Sequence, residues 1–196
     1  MSAISSKEQK QLSVSIAALE VIEAEGLGGV THSKVARKAG VSRAWIYEYI
    51  GNEKSALIEY AADVLASHFA RVKLTEIPKT KADLQRLAEE GTDFLFTSVD
   101  LNPVIIQLYF RYRGTRNPIG EVILKHEKQW LSKSTKTLVD ILGLTKEQAE
   151  LLTEFILTMR MGYAHRVATS KNTDDVHVRA KQTFQFLFSL VSGLTG

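Results

Sequence analysis

Hydrophobic residues recur along this chain at intervals of three and four positions, the period of an α-helix with one buried face. The first such segment begins near Ser6, continues to Glu25 and ends at Gly26. Its apolar positions are Val14, Ala17, Ala18, Val21 and Ile22. Helical periodicity also fills the chain after Pro78. The pattern predicts an all-α protein with about nine helices.

Two short helices joined by a tight turn are predicted from Thr31 onward. The Thr31 hydroxyl can accept a hydrogen bond from a free N–H group of the first turn, so it caps the first helix. Gly40 ends that helix because a residue without Cβ adopts the left-handed conformation at little cost. Ser42 caps the second helix, and Val41 and Ile46 have the spacing of a hydrophobic staple. The two helices are therefore expected to cross steeply.

The second of these helices carries large aromatic groups that are unusual on an exposed surface. Ile46 points inward. The other faces carry Arg43, Ala44, Trp45, Tyr47 and Glu48. A helix with a cation and a small residue in its first turn, and with hydroxyl or N–H donors beyond it, fits the major groove of DNA. The pattern favours a helix that lies against a nucleic acid.

The charge of this region agrees with that interpretation. Between residues 31 and 54 there are five cations and two anions, a surplus of +3. They are Lys34, Arg37, Lys38, Arg43 and Lys54 against Glu48 and Glu53. The whole chain has a net charge of only +3, so its overall balance does not indicate a nucleic-acid partner. The local surplus favours a polyanion.

A series of residues in this region stands at fixed offsets: Gly26, Thr31, Val35-Ala36, Ala39-Gly40-Val41-Ser42, Tyr47, Lys54 and Leu57. Together they resemble the DNA-binding domain of TetR-type (TetR/AcrR) transcriptional regulators. The resemblance covers roughly a quarter of the chain, and many matching offsets make it more specific than a lone short pattern. It implies a three-helix helix-turn-helix domain followed by a helical bundle that binds an effector and dimerises.

Three features depart from the pattern of the family. Trp45 stands where the family usually has a small or hydroxyl residue, and Ile50 replaces a usual phenylalanine. The link of residues 51–53 is one residue longer than the common one. Either Lys54 or Glu53 therefore occupies the position that contacts a phosphate.

The resemblance also implies a division of the chain and a set of contacts. The helix-turn-helix domain is expected at residues 1–51, a connecting helix at 52–77, and the effector-binding and dimerisation domain at 78–196. The predicted DNA-binding residues are Thr31, Ser33, Ser42, Arg43, Ala44, Trp45, Tyr47, Tyr49 and Lys54. Arg43 and Ala44 would meet base edges, with Arg43 able to bond guanine, while the side chains around them hold phosphates.

Helix boundaries after the connecting helix follow from Pro, Gly and capping residues. The connecting helix is expected to end near Leu74. The later helices are expected at about 81–99, from Pro103 to 113, from Pro118 to Gly143, from Thr145 to 169, and at 174–192. Thr145 and Gln148 have the spacing of a capping box.

The last two predicted helices are apolar on much of their circumference, so they need cover on two sides. One side is the domain itself, and the other is explained by a second copy of the chain in a four-helix interface about a two-fold axis. The predicted interface residues are Leu152, Phe155, Ile156, Phe184, Leu187, Phe188 and Val191. Without the N-terminal motif, a last helix simply buried in its own domain would explain the pattern equally well.

Polar and aromatic groups in the central helices are candidates for an effector pocket. They are Phe94, Tyr109, Tyr112, His126, Trp130, Met159 and Tyr163. For each residue taken singly, a place in the core is the more common explanation. Four arginines, at positions 111, 113, 160 and 166, suit an anionic effector if they face inward, although solvated faces or salt bridges explain them as well.

Composition excludes several other classes of protein. The chain has no cysteine, which removes disulfides and thiol catalysis and suits a reducing compartment. No signal peptide or apolar run of membrane-spanning length is present, so a soluble cytoplasmic protein is expected. His126-Glu127 lacks the second histidine of a zinc-protease helix. Neither an enzyme nor a cofactor or metal site is predicted.

The leading hypothesis is a homodimeric transcriptional regulator, specifically a repressor, that binds a palindromic operator in double-stranded DNA until a small-molecule effector releases it. The alternative is a helical protein-interaction module whose exposed Trp45 and Tyr47 bind a partner protein without DNA. The sequence identifies neither the effector nor the operator and its genes, and repression is not distinguished from activation by the residues themselves.

Overall fold

The structure is a computed structural model that describes residues 6–70 and 78–194, with side chains described at 6–64 and 78–191. All regular secondary structure in this part of the chain is α-helical, which confirms the predicted class. The helices are α1 (Ser6–Gly29), α2 (His32–Ala39), α3 (Arg43–Tyr49), α4 (Lys54–Ala70), α5 (Lys81–Leu101), α6 (Val104–Tyr112), α7 (Pro118–Leu142), α8 (Lys146–Thr169) and α9 (Thr173–Leu194). No helix among these residues is long and apolar enough to cross a membrane. The expected extension of α4 to Leu74 lies outside the described residues.

The described residues fall into two compact units. The N-terminal unit contains the chain up to Ser67 together with Gln107–Lys125, and the C-terminal unit contains His68–Ile106 and the chain from His126 onward. Helices α4, α6 and α7 each have residues in both units. The predicted domain boundaries at residues 51 and 77 remain predictions, since a division by compactness does not assign a role to either part.

The core of the N-terminal unit is the apolar face of α1 and the residues that pack on it. All five apolar positions predicted on α1 are buried. Gly26 interrupts the helix, with φ of 72° and ψ of −179°, as expected of a residue without Cβ. The segment beyond it leads to Val30, which is fully buried. Arg111 on α6 donates a hydrogen bond to the Glu23 carbonyl at 3.0 Å, which ties α6 to α1.

The C-terminal unit packs α5, α8 and α9 against one another and against the rest of α7. Helix α5 buries Leu87, Leu95, Phe96 and Val99. Phe94, a candidate for the pocket among the central helices, is instead 40% exposed, because it lies at the edge of this face while Phe96 takes the buried position. The start of α8 follows the prediction, since Thr145 and Gln148 form a capping box.

Candidate nucleic-acid interface and cavity

Local hydrogen bonds fix the turn between α2 and α3. Thr31 Oγ1 accepts from the Lys34 N–H at 3.2 Å, and Ser42 Oγ accepts from the Trp45 N–H at 3.1 Å. Gly40 is left-handed, with φ of 68° and ψ of 30°, and ends α2. The two predicted caps and the predicted stop are therefore confirmed.

Packing of α3 determines which residues face solvent. Ile46 is fully buried with Val35 in the core of the N-terminal unit. Arg43 and Ala44, in the first turn of α3, are exposed, as is Ser42 before them. The Arg43 guanidinium lies 3.5 Å from the Ser33 hydroxyl, a contact long enough to leave most of its donors available. The first turn of α3 thus presents a cation beside a small residue.

Tyr47 lies on the exposed side of α3 and contacts a residue that the sequence analysis did not single out. Its ring centroid is 4.9 Å from that of His32, and its side chain is 41% exposed. His32 Nε2 is in turn 3.2 Å from the Gly51 carbonyl oxygen. Within the described residues, the Tyr47 hydroxyl has no hydrogen-bond partner, so it is available to a ligand.

Trp45 and Tyr49 cover each other, with ring centroids 4.9 Å apart. The Lys7 ammonium lies 4.5 Å from the centroid of the Tyr49 ring. A side-chain hydrogen bond with Glu48, together with the negative charge of that carboxylate, raises the pKa of Tyr49. Tyr49 therefore differs from Tyr47, because its hydroxyl already interacts with a neighbouring side chain.

The charge count over residues 31–54 changes once α1 is included. Lys34 pairs with Glu25, and Lys38 pairs with Glu20 at 2.9 Å. Both glutamates belong to α1 and lay outside the counted stretch. The positive charge not paired with a carboxylate in the described chain comes from Arg37, Arg43 and Lys54, which makes the basic surface smaller than the sequence suggested.

Lys54 is the first residue of α4, and Glu53 precedes it. The Lys54 ammonium donates to the Gly28 carbonyl at 2.9 Å, which leaves two of its three N–H donors for other acceptors. Both side chains are exposed. Only the ammonium can donate to a phosphate, since a carboxylate repels it.

A cavity of about 300 Å³ lies in the C-terminal unit. Its lining includes Leu84, Leu87, Leu138, Ile156, Phe184 and Phe188 with polar groups from α7 and α8. Of the seven predicted pocket residues, Trp130 lines it. Phe94, His126, Met159 and Tyr163 do not, and Tyr109 and Tyr112 belong to the N-terminal unit. Among the described residues, no three histidine or carboxylate side chains are grouped so as to hold a metal ion.

Arg160 is the only one of the four noted arginines that lines this cavity. It is 3% exposed and donates from Nη2 to the buried Gly91 carbonyl at 2.8 Å. Its guanidinium carbon lies 5.7 Å from the Trp130 ring centroid. Burial lowers the pKa of Arg160 to about 10. Arg111 and Arg166, by contrast, are exposed.

Helices α8 and α9 expose an apolar face formed by Leu151, Phe155, Phe186 and Leu190, each at least half exposed. The helices run antiparallel, because a short turn joins them, and Leu152 and Val191 both pack on a cluster formed by Leu138, Leu142 and Ala149. Phe184, which was predicted at a subunit interface, is instead 3% exposed, because it packs inside its own unit beside the cavity. Ile156 and Phe188 also line the cavity, and all the predicted interface residues except Phe155 and Phe184 are half-buried.

Among the described residues, α2 and α3 joined at the left-handed Gly40, with the first turn of α3 exposed, have the geometry of a helix-turn-helix motif. Residues 16–61 match the family model of bacterial regulatory proteins, tetR family. These residues therefore form a TetR-type DNA-binding domain, as the resemblance predicted.

Solved structures of bacterial regulators, several of them described as TetR-type, share this fold along nearly the whole chain. A TetR-like transcriptional regulator from Rhodococcus sp. RHA1 has a TM-score of 0.64 and 16% identity over 92% of this chain and 96% of that one. The fatty acid degradation regulator FadR from Bacillus halodurans has a TM-score of 0.62 and 17% identity, covering 91% and 94%. The TetR family repressor AlkX from Dietzia sp. strain DQ12-45-1b has a TM-score of 0.51 and 20% identity, covering 93% and 95%. No curated protein matches this sequence significantly.

Proposed function

We propose that this protein is a homodimeric repressor that binds a palindromic operator and is released from it by a small-molecule effector. The observation that carries the proposal is the exposed first turn of α3, where Arg43 and Ala44 stand free of the core. AlkX, which has a similar fold, is a TetR family repressor, and this supports repression as the direction of control.

Within this proposal, the residues of α3 divide into two roles. Arg43 donates to guanine in the major groove, and Ala44 allows close approach to a base edge. Tyr47 and Lys54 bind phosphates, because each has donors that the protein does not use. Thr31, Ser33, Ser42, Trp45 and Tyr49 complete the surface around them. All of these side chains except the half-buried Trp45 are exposed, and this supports the assignment.

Dimerisation is proposed through the apolar face of α8 and α9. Exposed phenylalanine and leucine side chains on two adjacent helices are costly in water and favour association with a second copy. Two recognition helices about 34 to 36 Å apart then read successive major grooves of an operator with two-fold symmetry.

The effector is proposed to bind in the cavity of the C-terminal unit. Small-molecule sites are typically mostly apolar cavities with a few polar groups, and this cavity has that character. An effector that prefers the state with incompatible helix spacing lowers the population that binds DNA, by an amount set by its differential affinity for the two states.

Selection of bound duplexes from a random pool, followed by salt titration, tests the DNA-binding part of the proposal. We expect an inverted repeat to be enriched, with an affinity that falls steeply as salt rises because phosphate-bound counterions are released. A chain that ignores all duplexes at low ionic strength, while it binds a protein partner at any salt concentration, would support the protein-interaction alternative instead.

A further inference from the structure

The buried guanidinium of Arg160 takes no part in the proposed DNA interface, and one of its donors is unsatisfied. Its Nη2 has a partner in the Gly91 carbonyl, but its Nε has none. It forms no ion pair in the described part of the chain, and burial is the cause of its lowered pKa. A buried charge without a counterion is costly, and a hydrophobic side chain of similar size is generally cheaper at such a place.

The cavity beside Arg160 is positively charged. Lys133 also lines it, and none of the described lining residues is an aspartate or glutamate. Arginine presents a planar fork of donors that matches a carboxylate better than any neutral acceptor. The missing counterion of Arg160 is therefore expected to come from a ligand.

The two ends of the cavity differ in character. Arg160 donates a hydrogen bond to Gly91 and lies over the Trp130 ring, which places these groups at one end beside Thr92. At the other end, Leu84 packs against the cluster that contains Leu138. Leu138 lies eight residues along α7 from Trp130. At about 1.5 Å per helical residue, eight residues separate the ends by about 12 Å.

The lining residues of α8 and α9 also divide between the two ends of the cavity. Ile156 precedes Arg160 by one helical turn on α8, and Phe188 follows Phe184 by one turn on α9. Since α8 and α9 are antiparallel, Ile156 and Phe188 both lie toward the apolar end. The cavity thus combines a cationic end with a largely apolar one, where Thr137 beside Leu138 is a polar lining residue.

We propose that this cavity binds an amphipathic organic carboxylate, with the carboxylate on Arg160 and a medium-length alkyl or arylalkyl body against Leu84, Leu138 and Ile156. This assignment rests on the effector site proposed above and names its chemical class. The ligand supplies the charge that Arg160 lacks and fills the hydrophobic space one or two helical turns away.

Direct binding of decanoate, 1-decanol and decylamine to the full-length protein tests this assignment. The chain has two tryptophans, so Trp45→Phe leaves Trp130, whose ring lies beneath the Arg160 guanidinium, as the one indole reporter. We expect decanoate to change Trp130 fluorescence and to bind about 30-fold or more tightly than 1-decanol, because only the carboxylate pairs with the guanidinium. Decylamine should bind most weakly. Equal affinity for the acid and the alcohol, or no binding of decanoate, would overturn the proposal.

Arg160→Met separates ligand binding from a merely structural role of Arg160. It should remove the preference for decanoate while 1-decanol binding changes little; an equal loss for both ligands would mean that Arg160 only braces Gly91. Where Arg160→Met does not fold, Arg160→Lys should retain a reduced preference for the acid. An unchanged preference would contradict the proposed pairing of the planar guanidinium with the carboxylate. Ile156→Trp, which fills the apolar end, should weaken both ligands.

The ligand assignment and the proposed function can fail separately. Decanoate binding is measured without DNA, and operator binding is measured without decanoate. If decanoate binds through Arg160 but leaves operator affinity unchanged, the site stands and the proposed coupling fails.

Discussion

At the scale of single residues, Tyr47 and Tyr49 illustrate how two similar side chains on one helix can have different surroundings. Tyr47 has a hydroxyl without a partner in the described chain, whereas the hydroxyl of Tyr49 interacts with Glu48. Tyr47→Phe should weaken binding to all duplexes about tenfold, because it removes one hydrogen bond to a charged phosphate. Fluorescence anisotropy with specific and random duplexes measures this loss.

Two other tyrosines provide the comparison for Tyr47. Tyr49→Phe should lower the affinity for duplexes less than Tyr47→Phe does. Tyr60→Phe, on α4, serves as a control outside α3. If Tyr47→Phe instead changed which base is preferred, its hydroxyl would be reading a base edge, and the phosphate role would be wrong.

The residue roles that could be predicted from sequence are those that depend on near neighbours. Thr31 and Ser42 cap helices through atoms three residues away, so their function is visible in the local pattern. The pairing of Lys34 with Glu25 depends on how α1 packs against α2, which no local count includes. Likewise, the sequence offered four arginines for an anion, and only packing showed that Arg160 faces the cavity.

At the scale of the helices, the turn between α2 and α3 depends on Gly40. Its φ of 68° disfavours any side chain, yet an added Cβ would meet nothing within 4 Å, so the cost of a substitution is conformational alone. Gly40→Ala should lower the free energy of unfolding by about 1–2 kcal/mol. Urea denaturation followed by circular dichroism measures the change.

Gly28→Ala is the matched control for Gly40→Ala. Gly28 also has open space around a new Cβ, but its φ is not in the left-handed region. The substitution should leave stability unchanged or raise it slightly. Equal destabilisation by both substitutions would indicate that steric contacts, rather than the left-handed conformation, set the cost.

The ends of helices could be predicted more reliably than their faces. Gly143, with φ of 67°, and Thr145 mark the junction of α7 and α8 where the sequence placed it. The faces were harder, because a small rotation of a helix exchanges an inward residue for an exposed one. Phe94 and Phe184 are the two examples, since each was assigned to the opposite environment from the one it occupies.

At the scale of the whole molecule, the apolar face of α8 and α9 is the surface through which we propose that two copies associate. The sequence predicted that the last two helices dimerise. On α9, the predicted interface was the stripe of Phe184, Leu187, Phe188 and Val191. The stripe with Phe186 and Leu190 is the exposed one, because Phe184 and Phe188 face the cavity of their own unit. The choice between the two stripes required knowledge of where the cavity lies.

Phe186→Asp tests whether this face forms the dimer on which operator binding depends. Phe186 is 63% exposed in the protomer, so an aspartate there should be tolerated by the fold, but in an interface it would bury an unpaired charge. The dimer dissociation constant should rise about 100-fold, measured by analytical ultracentrifugation. Affinity for a palindromic duplex should then fall toward that for a single half-site.

Leu101→Asp, at a 74% exposed leucine on α5, is the control and should change neither the dimer dissociation constant nor the affinity for the palindromic duplex. A Phe186→Asp variant that remains dimeric would show that another surface joins the subunits, whereas a monomer with undiminished palindrome affinity would show that operator binding does not depend on the pair.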